Sequence, residues 1–207
     1  KSCGAQSEML VINTSDPVQV ASSVQRCKTA LQNSQILFIP GGFSAADEPD
    51  GSGKFIAAFF KHPQLKKAIE DLLEKQDGLV GGICNGFQAI LQLGLLRHGK
   101  VVEMKDSDPL LVENQLGRHI SRLVSCRVSS TLSPWMSAYS VDDTQLLPIS
   151  HGEGRFFAPE KTLLDLAQKG QIAAQYVDAE LKAAGYGIDN PNGSLYAIEA
   201  LSSEDGK

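Results

Sequence analysis

A chain of 207 residues, 42% of them hydrophobic, is long enough to bury a sizeable core, and one compact domain is the first expectation. The net charge of −5, with acidic residues spread along the chain, argues against a nucleic-acid or anionic-membrane surface. Apolar runs are too short for a membrane span or signal peptide, and Cys3, Cys27, Cys84 and Cys126 form no C-x-x-C pair, which suits a reducing cytosol better than disulfides or structural zinc.

Residues 9–13 have strand character, and Ser15-Asp16-Pro17 is a helix start with proline at the first helical position. Val20, Val24, Cys27 and Leu31 then recur at helical spacing, which makes Cys27 a core residue. Ile36-Leu37-Phe38-Ile39 reads as a buried strand ending at Pro40-Gly41-Gly42. Residues 43–53 are small, polar and acidic, and read as a surface loop. Two helices follow, one carrying Phe55, Ile56, Phe59 and Phe60, the other Leu65, Ile69, Leu72 and Leu73. The alternation of strand and helix predicts a parallel sheet with crossover helices.

Residues 79–83 form a short uncharged apolar run, and Phe87, Ile90, Leu91 and Leu95 then fall on one helical face. At the junction Cys84 stands between Gly82 and Gly86. This is a Gly-x-nucleophile-x-Gly elbow with sulfur in place of a hydroxyl, and such a turn forces its central residue into a sparsely populated backbone conformation. The helix that follows aims N–H groups and its positive dipole end at the sulfur, favouring the nucleophilic thiolate. A free cysteine is ordinarily an inert core residue; the glycine-flanked strand-to-helix junction reverses that expectation. Gly41-Gly42 lies at the same carboxyl edge, where open α/β sheets bind ligands. It is either an ordinary tight turn or a source of N–H groups that, with that of Asn85, would hold an oxyanion.

Beyond Arg97 the period changes. Residues 110–114 and 120–128 look like strands, and residues 101–150 read as antiparallel strands and turns, with Trp135 as a packing anchor. His151-Gly152-Glu153-Gly154-Arg155 describes a polar loop whose backbone can approach a small ligand, or else a satisfied turn histidine beside a solvated Glu-Arg pair. Of His62, His98, His119 and His151, His151 alone is expected near Cys84. A helix with Leu163, Leu164 and Leu166, strands over 171–177 and 195–201, and an Asn190-Pro191-Asn192-Gly193 turn complete the chain. Asp205-Gly206 directly after a strand is a hairpin signal with no partner strand following, and the first seven residues read as a helix end. Residues 1–207 are therefore expected to be one domain truncated at both ends.

Taken together, Gly82-Ile-Cys84-Asn-Gly86-Phe-Gln88, Pro40-Gly-Gly-Phe-Ser44 with Asp47-Glu-Pro-Asp-Gly-Ser52, His151-Gly-Glu-Gly-Arg-Phe156 and Asn190-Pro-Asn-Gly-Ser194 resemble the class I glutamine amidotransferase domains of phosphoribosylformylglycinamidine synthases, in order and over nearly the whole chain. The resemblance implies a flavodoxin-like open, mostly parallel sheet with flanking helices and antiparallel insertions. It implies a cytoplasmic glutaminase with Cys84 as nucleophile, the N–H groups of Gly42 and Asn85 as oxyanion hole, and Gln88, His151 and Gly152 against bound glutamine. Ammonia would pass to a synthetase domain or subunit that uses ATP and magnesium; this domain itself would hold no cofactor or metal. The family's catalytic His and Glu are expected beyond Lys207. Ala45-Ala46 stand where the family often has glycines. Two alternatives share the elbow: a cysteine hydrolase or thiol stress protein, and a non-catalytic interaction domain.

Overall fold

In a computed structural model that describes residues 4–42 and 53–207, α1 (Pro17–Gln32) starts where the Ser-Asp-Pro signal places it. The Asp16 carboxylate accepts from the Gln19 N–H at 2.9 Å, satisfying a donor that the first helical turn leaves unpaired. Ser23, Val24, Cys27 and Leu31 form its buried face. Residues 43–52, which include most of the acidic loop and the Ala45-Ala46 pair, lie outside the described residues, as does Cys3.

β1 (Ile36–Ile39) and β2 (Leu79–Gly82) pair in parallel, Ile36 opposite Leu79 and Ile39 opposite Gly82. Between them come α2 (Lys54–Phe60) and α3 (Pro63–Glu74), the latter burying Leu65, Ile69 and Leu72 completely. Each such aliphatic side chain contributes about 2 kcal/mol of transfer free energy. From β2 the chain enters α4 (Asn85–Gln92) through Cys84, and a short α5 (Leu95–His98) follows.

The second half pairs its strands in antiparallel fashion. β3 (Leu110–Val112) pairs with β6 (Arg155–Phe157), and β4 (Ile120–Val128), β5 (Thr144–His151), β7 (Ile172–Tyr176) and β8 (Ile198–Leu201) form a sheet in the order β5-β4-β7-β8. α6 (Glu160–Gln168) connects β6 to β7. Among the described residues the mixed α/β architecture therefore has one parallel pair, and its sheets are mostly antiparallel, against the expectation of a mostly parallel sheet. The strand-helix-strand order holds only as far as β2. After it the helices join strands of different sheets, α4 and α5 leading from β2 to β3 and α6 from β6 to β7, so no crossover there returns the chain to pair in parallel, and every strand pair formed is antiparallel.

The strand expected over residues 9–13 is absent. No described strand pairs with it, Met9 and Val11 are exposed, and the segment is tied to α1 by the Ser23 hydroxyl, which accepts from the Asn13 N–H and donates to the Asn13 carbonyl. Residues 195–197 form a 3₁₀ turn rather than the start of β8, with Tyr196 and Ala197 both at φ 54°. The Asp205-Gly206 turn makes no hairpin either. It carries the chain from β8 to the side of β2, where the Lys207 carbonyl accepts from the Val80 N–H at 3.0 Å. Trp135 is the packing residue expected: its ring covers Gly81 and stacks obliquely on Phe38, centroids 6.4 Å apart.

The buried apolar residues form three clusters. One joins α1 and α3 to β1, a second gathers Phe156, Leu163, Leu166 and Ile198, and a third lies in the antiparallel sheet around Val124, Cys126 and Tyr176. Consecutive residues of α4 serve two of them, Ile90 packing in the first and Leu91 in the second. The helix behind Cys84 is thus held between the parallel pair and the antiparallel half. That fixes the elbow relative to both.

Candidate active site

Cys84 has φ 55° and ψ −114°, a combination that L-residues rarely adopt. Holding a side chain there costs on the order of 1–3 kcal/mol and requires surroundings that leave no alternative. Those surroundings are close contacts made by glycines. A Cβ on Gly86 would collide with the Ile39 carbonyl group, and one on Gly82 would come within 2.6 Å of the Ile90 side chain and 2.7 Å of the Gly86 backbone. A Cβ on Gly41 would stand 3.0 Å from the Cβ of Cys84. Strand end, elbow and the β1 loop are therefore in direct contact, the juxtaposition expected from the two carboxyl strand ends.

A cavity of about 710 Å³ opens over this turn. Cys84, Gly42, Gln88, His151 and Gly152 all line it, so five of the six residues singled out from sequence meet at one site. Asn85 does not line it but stands next to the sulfur-bearing residue as the first residue of α4, buried. Gln88 is buried and its Nε2 donates to the Glu153 carbonyl at 3.0 Å, so its amide holds the loop between β5 and β6.

That loop is one wall. The Gly152 carbonyl accepts from the Asn114 N–H at 2.9 Å, and the His151 ring packs so closely over Gly154 that no Cβ fits there. His151 Nδ1 is buried with no side-chain hydrogen-bond partner among the described residues, and burial is the main force holding its imidazole below the ordinary 6.5, opposed by the residue's own backbone and aided by the nearby His119. The ring is neutral at neutral pH.

Sequence reasoning missed several lining groups. His119 lines the cavity too, against the expectation that His151 alone would, with its Nε2 3.0 Å from the Ser150 hydroxyl. The register explains it: Ile120 pairs with His151, so the residue before β4 meets the end of β5. Glu113 and Arg118 enter from the same connection, and Tyr176 and Glu199 from β7 and β8. Glu199 is half-buried on the cavity wall, and burial raises its carboxyl above the usual 4.5. No local signal marks these residues; long-range pairing brings them in. His98 lies elsewhere, its Nε2 2.9 Å from the Asp108 carboxylate, and His62 caps α3.

The other two described cysteines behave differently. Burial pushes Cys27 up to about 11 and, with a smaller contribution from Glu199, Cys126 up to about 12, so both thiols stay protonated and inert. A strained cysteine between a strand and a helix N-terminus, facing a large cavity, is the arrangement of the cysteine-nucleophile α/β enzymes.

The family model described as "CobB/CobQ-like glutamine amidotransferase domain" matches residues 4–207. "Phosphoribosylformylglycinamidine synthase subunit PurQ" of Nostoc sp. is 35% identical over 178 residues, covering 86% of this chain and 67% of that protein. The same-named subunit of Gloeobacter violaceus is 33% identical, covering 85% and 68%. "Phosphoribosylformylglycinamidine synthase" of Drosophila melanogaster is 32% identical over 98% of this chain and 14% of its own length. A chain in the "Structure of PurLQS from Thermotoga maritima" shares the fold, with a TM-score of 0.59 at 24% identity over 83% of this chain and 64% of that one. This chain belongs to the glutamine amidotransferase family, among the amidotransferase domains of the phosphoribosylformylglycinamidine synthases.

Proposed function

We propose that residues 1–207 act as one glutaminase domain that releases ammonia for the ATP-dependent conversion of formylglycinamide ribonucleotide to its amidine in purine biosynthesis. The observation that carries this reading is the placement of Cys84, strained at the elbow and opening into the cavity with Gln88 and His151. The Cys84 sulfur attacks the side-chain carbonyl of glutamine, and the resulting oxyanion is held by the N–H groups of Gly42 and Asn85. Collapse of the tetrahedral adduct expels ammonia and leaves a glutamyl thioester, which water hydrolyses to glutamate and free thiol. Gln88, through its bond to the Glu153 carbonyl, and His151 with Gly152 shape the wall against the amino acid.

The strand–helix–strand–elbow unit from β1 to α4 is read as the flavodoxin-like part of the fold. The partner is a synthetase domain or subunit, in keeping with the names of the relatives, and ATP and magnesium act there rather than on this chain's residues. The reading places the protein in the cytoplasm; among the described residues no helix is long and apolar enough to cross a membrane. The test is labelling by a glutamine-mimicking diazoketone, located by mass spectrometry, with Cys84→Ala as control. Labelling confined to Cys84 and blocked by glutamine is expected; labelling that glutamine does not block overturns the reading.

A further inference from the structure

We propose that Ser194 is a positioning residue: its hydroxyl fixes the height of the Gly152–Gly154 wall over Cys84, and the Asn190–Ser194 loop is the strap that holds the glutamine-binding face of the cavity in place. The inference rests on the glutaminase reading above. It starts from a deficiency. The loop between β5 and β6 lines the cavity with two glycines out of three residues, and Gly152 and Gly154 have no side chains to anchor it in a core. Hydrogen bonds from outside therefore help to set its position.

One of those bonds comes from the elbow helix, Gln88 to the Glu153 carbonyl, and one from the connection between β3 and β4, the Asn114 N–H to the Gly152 carbonyl. Three more tie the end of the loop and the start of β6 to the strap. Ser194, buried, donates its hydroxyl to the Gly154 carbonyl at 3.3 Å and accepts from the Phe156 N–H at 3.1 Å. One oxygen thus bridges the residues on either side of Arg155. Arg155 itself reaches back, its Nε donating to the Gly193 carbonyl at 3.3 Å. Three consecutive residues at the end of the wall are therefore gripped by two residues about forty positions later in the chain.

The strap is rigid in its own right. The Asn190 carboxamide accepts from the Ser194 N–H at 3.0 Å and donates to the Ser194 and Ala184 carbonyls at 3.0 and 3.1 Å. Gly193 stands at φ +75° against the Gln115 side chain, where a Cβ would meet it at 2.7 Å. Asn190, Asn192 and Ser194 are all buried, so exchange with water does not replace these bonds. A loop this tightly built that touches no reacting group acts through what it holds.

The experiment compares Ser194→Ala and Ser194→Thr in the natural full-length protein, with two reagents for Cys84. Iodoacetamide reads the thiol alone; the glutamine-mimicking diazoketone reads the thiol together with the amino-acid wall. For Ser194→Ala the KM for glutamine rises about tenfold and diazoketone labelling slows by a similar factor, while kcat and the iodoacetamide rate stay within about twofold. Threonine, which keeps the hydroxyl, restores most of the loss. Arg155→Lys, at a partly exposed position, carries the same test if Ser194→Ala does not fold, with a rise in KM of about threefold. Equal loss with both reagents, or a Ser194→Ala protein with wild-type KM, overturns the positioning role. Absence of glutamine-protected labelling in the wild type would instead remove the glutaminase reading, and the strap's role with it.

Discussion

The Nε2 of Gln88 donates to the carbonyl oxygen of Glu153 at 3.0 Å, linking the second turn of the elbow helix to a loop 65 residues away. Nucleophile and substrate wall are thereby referenced to one helix. Replacing Gln88 by Ala removes the donor and leaves a half-buried carbonyl to find another partner. The expected result is a rise of about tenfold in the KM for glutamine and a loss of about 1 kcal/mol in stability. Steady-state glutaminase kinetics and urea unfolding read the two effects, and an unchanged KM would show that the tether has no bearing on the wall.

Cys84 carries both the chemistry and the backbone strain. Cys84→Ala abolishes glutamine hydrolysis and keeps the strain, because a Cβ remains at φ 55°. Cys84→Gly is equally inactive but relaxes the turn, and unfolds with a stability about 1 kcal/mol above that of the alanine variant. Equal urea midpoints for the two variants would mean that the turn stores no strain.

Gly86 tolerates no side chain. Gly86→Ala drives a methyl group into the carbonyl of Ile39, which belongs to β1 and cannot rotate away. The destabilisation expected is on the order of 3 kcal/mol, larger than for an ordinary glycine on a helix, where alanine is the better former. Chemical denaturation measures it directly, and a neutral or stabilising result would mean that the strand and helix can separate at no cost.

Two groups on the cavity wall give opposite pH dependences. His151 is held below its ordinary 6.5 by burial, so the unfolded chain takes up a proton before the folded protein does. Its contribution to stability is present above 6.5 and declines as the pH falls from there toward the depressed folded value. Unfolding of wild type and His151→Gln at about pH 7.5 and about pH 5.5 shows a wild-type loss that the variant lacks.

Glu199 is held above 4.5, so the folded protein keeps a proton that the unfolded chain releases, and stability declines as the pH rises through the raised value. Tyr176 and Cys126 are themselves pushed upward by burial and by its charge, and as a neutral phenol and thiol they offer it no compensating cation. Glu199→Gln is therefore expected to stabilise the protein at neutral pH and to bring little gain below about pH 4.5. A gain independent of pH would mean that charge is not the cause.

The parts legible in the sequence were those governed by neighbours. Asp16 and Pro17 start α1, the period of residues 120–128 matches β4 end to end, and Gly82, Cys84 and Gly86 announce the elbow, because each feature is decided within a few residues. The strand expected over residues 9–13 was illegible for the opposite reason: a strand exists only if something pairs with it, and alternation of apolar residues cannot report a partner. The same holds for the site. Cys84, Gln88 and His151 sit in recognisable motifs, whereas Arg118, His119 and Glu199 reach the cavity through the pairing of β4 with β5 and of β7 with β8.

The stretch of wall that Gln88 and Ser194 hold begins and ends on glycine, and Gly152 and Gly154 offer no side chains to exchange. At Gly154 that stretch cannot take a larger residue without moving the His151 ring. Variation that alters the enzyme's choice of amide will accumulate instead at Gln88, which both lines the cavity and holds the loop, and at Asn190 and Ser194, which a map of binding contacts would leave out. A directed-evolution library aimed at new amide donors should be spread over those supports.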